Sequence, residues 1–153
     1  MKIVDANVLL YAVNADSAHH EQSRTWLDAT LAGDEAVAFA WSVLLAFLRI
    51  STLSRIFPRP LTVEQALETA QDWLAQPPAV VVEPTTRHLA VLGGLLGASG
   101  TGGNLVSDAH LAALAVEHGA EIVSYDADYT RFDGVRWNRP AVSAAPTDPA
   151  ANR

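Results

Sequence analysis

Short apolar runs alternating with longer stretches of helical periodicity predict an α/β domain with a central parallel sheet covered on both faces. Three observations carry that expectation. The runs "KIV", "EAVAFA", "AVVVE" and "EIVSY" are each separated from the next by helical segments. Half of the 153 residues are apolar, which suits one domain with a real core. Aspartates recur where candidate strands end, and in a sheet of this kind sites form beyond the carboxyl ends of the strands.

The first strand is Lys2 to Val4, and Asp5 and Asn7 suit a strand-to-helix turn before a helix beginning near Val8. "HHEQSRTWLDATLAG" spaces Trp26, Leu27 and Leu31 as one helix face, with glutamate early and glycine last. "EAVAFA" alternates like a strand. "WSVLLAFLRI" is apolar on nearly all sides, so a buried helix is expected, with Ser42 and Arg49 as its polar exits. Pro58 and Pro60 end that unit. Thr62 with Gln65 forms a capping box for "VEQALETAQDWLAQ", which Pro77 and Pro78 stop.

"AVVVE" is the next strand, followed by a helix over "TTRHLAVLGGLLGA" loosened by Gly93 and Gly94, and by the loop "SGTGGN". "SDAHLAALAVEHG" reads as a helix capped by Ser107 and stopped by Gly119. The strand "EIVSY" follows, and a short strand over Val135 to Trp137 closes the edge. One domain over residues 1–140 is therefore expected, with a disordered tail over 141–153 of Ala/Pro/Asp composition.

Without cysteine the chain has no disulfide or thiolate metal site, so any metal must be held by oxygen or imidazole. Ten basic against seventeen acidic residues give a net charge of −7, which argues against nucleic-acid binding through overall charge. No run reaches the roughly 20 apolar residues of a membrane span, and an aspartate interrupts the place of a signal-peptide core. A cytoplasmic location is expected.

The carboxylates carry the chemistry. Asp5 follows the first strand, Asp126 and Asp128 follow "EIVS", and Asp108 opens a helix. Singly they read as cap, turn and first-turn helix residues. Jointly they converge at one rim, where they would repel one another unless a cation sat between them. Mg²⁺ or Mn²⁺ suits such a site, and can activate water and neutralise charge on a phosphate under attack.

The blocks "IVDANVLLYA", "WSVLLAFLRI", "GNLVSDAHLAALAVEHGAEIVSYDADYTRF" and "GVRW" resemble, in order and spacing, those of the PIN-domain family, in particular the VapC ribonuclease toxins of type II toxin–antitoxin pairs. The likeness runs from about residue 2 to residue 137. It implies a PIN-like three-layer α/β/α domain, Mg²⁺ or Mn²⁺ dependence and endonucleolytic RNA cleavage. By motif match Asp5, Asp108 and Asp126 are the catalytic, metal-holding acids, Asp128 a further metal ligand, and Asn7 and Ser124 supporting residues. A VapB-like antitoxin and a homodimer are the implied partners; Leu44 to Leu53 and the helix Trp26 to Leu31 either offer the antitoxin a surface or belong to the core.

One departure stands out. The family places a glutamate where this chain has Ala46, ahead of Arg49. Ser42 lies one turn earlier on the same face and could substitute in part through its hydroxyl or a water. Glu117 cannot, because it falls on the opposite helix face from Asp108. Ala46 therefore leaves two readings open: a nuclease that works without this acid, or a PIN-like module that binds RNA or antitoxin only.

Arginines cluster behind two of these elements, Arg49, Arg55 and Arg59 after one helix and Arg131, Arg136 and Arg139 after the last acids. They are the candidates for RNA phosphate contact. Trp41 is expected to be buried. His19 and His20 read as exposed residues at a helix start, and His110 points away from Asp108. A haloacid-dehalogenase reading of "VDANV" fails, because Asn7 stands where a second acid is needed and Lys2 is the only lysine.

Overall fold

The computed structural model describes residues 1–100, 103 and 105–141. The element order is β1 (Lys2–Val4), α1 (Ala6–Val13), α2 (His20–Leu31), β2 (Val37–Ala40), α3 (Trp41–Ser51), α4 (Val63–Leu74), β3 (Ala79–Val82), α5 (His88–Ser99), α6 (Leu105–Glu117), β4 (Glu121–Val123), a 3-10 turn (Ala127–Arg131) and β5 (Trp137–Asn138). The five strands form one sheet in the order β3-β2-β1-β4-β5, with every pairing parallel.

Burial along the strands shows why helices must flank both faces. Neighbouring residues of a strand point to opposite faces, yet all of Val37–Ala40 are buried, as are Ile3 and Val4. Only cover on both sides can do that, which makes three layers. At the β3 edge the cover gives out, and Val80 and Val81 are exposed. The core joins Ile3, Val8, Leu9, Phe39, Leu44, Phe47, Leu114 and Ile122 with Tyr129 beneath the strand ends.

Several boundaries differ from the sequence expectation for identifiable reasons. The first helix begins at Ala6, because the Asp5 side chain accepts the Ala6 N–H at 2.6 Å and caps it two residues earlier than expected. The helix expected from Ser107 starts at Leu105, whose burial draws the first turn toward the core, so Ser107 is a first-turn residue and not the cap. Gly93 and Gly94 do not interrupt α5, which runs on to a left-handed Gly100 at φ 67°. The capping box of Thr62 and Gln65 is present as expected. The closing strand lies at Trp137–Asn138, slightly later than Val135 to Trp137.

The helix α3 is only half-buried. Val43, Leu44 and Phe47 face inward, but Trp41 is 52% exposed and Leu45 58%, because a single helix can bury only one stripe of an all-apolar surface. Of the two histidines expected to be exposed, His19 stacks on Tyr125, while the half-buried His20 ring is fixed by the Tyr11 carbonyl at 2.9 Å. The tail expected over 141–153 lies outside the described residues apart from Ala141, and half of the loop "SGTGGN" does too.

The last residue of α3 tests the packing. Ser51 is fully buried and its hydroxyl has no hydrogen-bond partner, so it carries a desolvation cost with no return. Ser51→Ala should raise the unfolding free energy by about 1 kcal/mol, read as a higher urea midpoint at unchanged slope. A fall of similar size would show that the hydroxyl is bonded in solution.

Candidate active site

The site grows out of the β1–β4 pairing. Val4 lies in register with Val123, and the Asp5 N–H continues the ladder by donating to the Val123 carbonyl at 3.0 Å. Asp5 and Ser124 therefore leave neighbouring strands side by side. Ser124 is fully buried, and its hydroxyl donates to Asp5 Oδ2 at 2.6 Å. The Ser124 Oγ in turn accepts from Asn7 Nδ2 at 2.8 Å and from the Asp126 N–H at 2.9 Å. Its one hydrogen and two lone pairs are all used.

Asn7 completes the node. Its amide also donates to Asp5 Oδ2 at 3.0 Å, and its Oδ1 accepts the Tyr125 N–H at 3.1 Å. Asp5 is thus held by the Ala6 N–H, Ser124 and Asn7 together. Asp126 caps the 3-10 turn by accepting the Asp128 N–H at 2.8 Å, which swings Asp128 to the same side. Asp108 arrives on the first turn of α6.

Asp108, Asp126 and Asp128 each offer a carboxylate oxygen within 4.8 Å of the others. Asp5 stands beside this trio, not within it, close enough to act on the Asp108 charge. Burial, and then the charges of Asp126, Asp5 and Asp128, push the Asp108 carboxyl up to about 6. Burial also raises Asp5, against the opposing hydrogen bonds of Ser124 and Ala6. Arg131 touches the group, at 3.6 Å from Asp128. An all-oxygen donor set whose like charges raise the Asp108 carboxyl fits a hard divalent cation.

Beside the acids lies a cavity of about 250 Å³, lined among others by Asp5, Asp108, Ser42, Ala46, Arg49 and Tyr129. Position 46 thus opens onto the site, as the family pattern implies, but with a methyl group. Ser42 and Arg49, on the same face, border it too. Larger hollows elsewhere, such as one of about 330 Å³ between Asp28 and Gln76, gather no comparable set of acids.

The structure sorts the other expected residues. Arg55 is exposed in the turn after α3. Arg59 does not reach the cavity, because it is held away by Asp16 at 2.8 Å. Arg136 lies on the opposite rim, where its guanidinium donates to the Gly119 carbonyl at 2.8 Å. That placement follows from the parallel sheet: Arg136 precedes β5 and so sits at the strands' amino ends. Sequence reasoning missed Tyr129 and gave Ser107 only a capping role, yet both line the cavity. Tyr129 had a signal in its place three residues after Asp126, but a single tyrosine in a polar turn does not show in sequence that it lines a site.

Comparison with known proteins agrees with this geometry. The family model for the PIN domain matches residues 2–135. Ribonuclease VapC37 of Mycobacterium tuberculosis is 61% identical over 140 residues, covering 92% of this chain and 97% of that protein. Ribonuclease VapC25 of the same organism is 38% identical over 142 residues, covering 93% and 100%. Among solved structures, Mycobacterium tuberculosis VapC20, a sarcin-ricin loop cleaving toxin, has a TM-score of 0.64 at 19% identity and covers 89% and 99% of the two chains. The DNA-bound VapBC2 of Rickettsia felis gives 0.67 at 17% identity, covering 90% and 97%. At those identities the structures speak for the fold.

The crowding of the acids predicts a pH signature. A carboxyl whose folded pKa is raised binds its proton longer in the folded state, so stability falls as pH rises through the window between the unfolded value, about 4, and about 6. Metal-free protein should therefore lose thermal midpoint across that window. Asp108→Asn should flatten the slope, and a divalent cation should restore the midpoint above pH 6. Calorimetry across pH, with EDTA and with Mg²⁺ or Mn²⁺, measures all three.

Proposed function

The chain belongs to the PIN-domain family, and from that premise we propose that it is the endoribonuclease toxin of a type II toxin–antitoxin pair, working with Mg²⁺ or Mn²⁺. The observation that carries the reading is the convergence of Asp5, Asp108, Asp126 and Asp128 on one rim beside a cavity that Arg49 also lines. Near full-length identity of 61% to a ribonuclease supports the same activity.

Asp108, Asp126 and Asp128 would hold the cation, with Asp5 beside them as the fourth acid. The chemistry such an ion supplies is neutralisation of charge on a phosphodiester and activation of water. The protein's own part is placement. Ser124 and Asn7 fix the Asp5 carboxylate by donating to it, so that it does not turn away from its like-charged neighbours. Arg49, on the cavity wall, contacts the RNA backbone, and Arg131 and Arg55 extend that contact outside it. Hydrolysis leaves a 5′-phosphate product.

A VapB-like antitoxin is the partner, as in the VapBC complexes that share the fold. The apolar residues of α2 cannot receive it, since Trp26, Leu27 and Leu31 are in the core, and Leu44 is too. Exposed apolar residues of α3 and α4, Trp41, Leu45, Val63 and Leu67, are the candidates for its contact. Homodimerisation belongs to the same reading. No helix among the described residues is long and apolar enough to cross a membrane.

Ala46 keeps one alternative in view, a PIN-like module that binds RNA or antitoxin without cutting. Purified, antitoxin-free protein incubated with a structured RNA pool distinguishes the two. Cleavage should require Mg²⁺ or Mn²⁺, stop with EDTA and vanish in an Asp5→Ala/Asp108→Ala double variant. Arg49→Ala should weaken RNA binding and lower the slope of log affinity against log salt by about one. If the wild type is silent and Ala46→Glu cuts, the binding module is the correct description.

A further inference from the structure

Away from the acidic rim, α5 and α6 are joined by a second cluster of titratable side chains. Glu117 Oε2 meets His88 Nδ1 at 2.7 Å, and His88 Nε2 meets His110 Nδ1 at 2.8 Å. The Thr85 hydroxyl donates to the other Glu117 oxygen. The Glu117 side chain is fully covered by these partners, and that of His88 is 13% exposed. Burial opposes the charge on Glu117, but the hydrogen bonds from Thr85 and His88 outweigh it and hold the carboxyl below its usual range. Among the described residues no lysine or arginine pairs with it.

The hydrogen-bond logic fixes the tautomers. An ionised Glu117 only accepts, so His88 carries its hydrogen on Nδ1 and turns the Nε2 lone pair toward His110. A histidine whose far nitrogen donates to a carboxylate is the arrangement that orients and strengthens a metal-ligating imidazole. His110 is only half-buried, which leaves room for water on the open side.

We propose that His88 Nε2 and His110 Nδ1 form a binding site for a borderline divalent cation of the zinc and cobalt class, oriented by Glu117 and completed by water. Two nitrogens on one tetrahedral ion lie about 3.3 Å apart, so the 2.8 Å contact opens by about half an ångström. The ion replaces the hydrogen that His110 Nδ1 now turns toward His88, and His110 takes a hydrogen on Nε2 instead by exchange with solvent, so both rings bind as neutral imidazoles. Imidazole donors separate this site from the all-oxygen rim, which favours Mg²⁺. It would tie α5, whose residues are all at least partly exposed, to the helix that presents Asp108.

The test titrates the full chain with Co²⁺ in excess Mg²⁺, following the visible Co²⁺ spectrum and the imidazole proton resonances. One Co²⁺ should bind and shift the ring signals of both His88 and His110 in the wild type. His88→Asn and His110→Asn should each weaken binding at least about tenfold, and Glu117→Gln by about 10-fold to 100-fold. Asp108→Asn should leave the ring shifts intact. Unshifted rings in the wild type, or Co²⁺ binding abolished by Asp108→Asn alone, would overturn the proposal. Because the wild-type ring shifts need no substitution, an unfolded variant does not hide the answer.

Discussion

The Ser124 hydroxyl is where backbone register becomes chemistry. It can occupy its place only because β1 and β4 are parallel neighbours with Val4 opposite Val123. From there its three hydrogen bonds join Asp5 of one strand end, Asn7 of the first helix and the Asp126 backbone of the other strand end. Each bond to a charged or buried group contributes about 1–3 kcal/mol. Their sum opposes the repulsion that would otherwise spread the acids apart.

That repulsion shapes the rest of the site. Acids gathered at one rim, with Arg131 as the cation touching the group, raise Asp108 to about 6 and leave a strong field for a divalent ion. Ala46 alters this balance. Where the family carries another carboxylate, this chain presents a methyl group bordered by Ser42 and Arg49. Asp5 and Asp108 are therefore the acids that line the cavity.

The overall charge of −7 is no obstacle to an RNA substrate under this arrangement. Arg49 puts a positive charge on the wall of the cavity beside the acids. Arg59 and Arg136 show the converse, since Asp16 holds one and the Gly119 carbonyl occupies the other. Counting arginines along the chain could not separate these cases.

The sequence by itself determined the alternation of strands and helices, the capping box at Thr62, and the strand-end positions of Asp5, Asp126 and Asp128. These are local or periodic properties, written in spacings of two, three and four residues. Tertiary structure alone decided which apolar residues of α3 stay exposed, which arginines reach the cavity, and that Tyr129 and Ser107 line it. It also brought His88, His110 and Glu117 together across two helices. Such contacts join residues far apart in the chain, and their distances depend on how helices settle on the sheet, which no local pattern encodes.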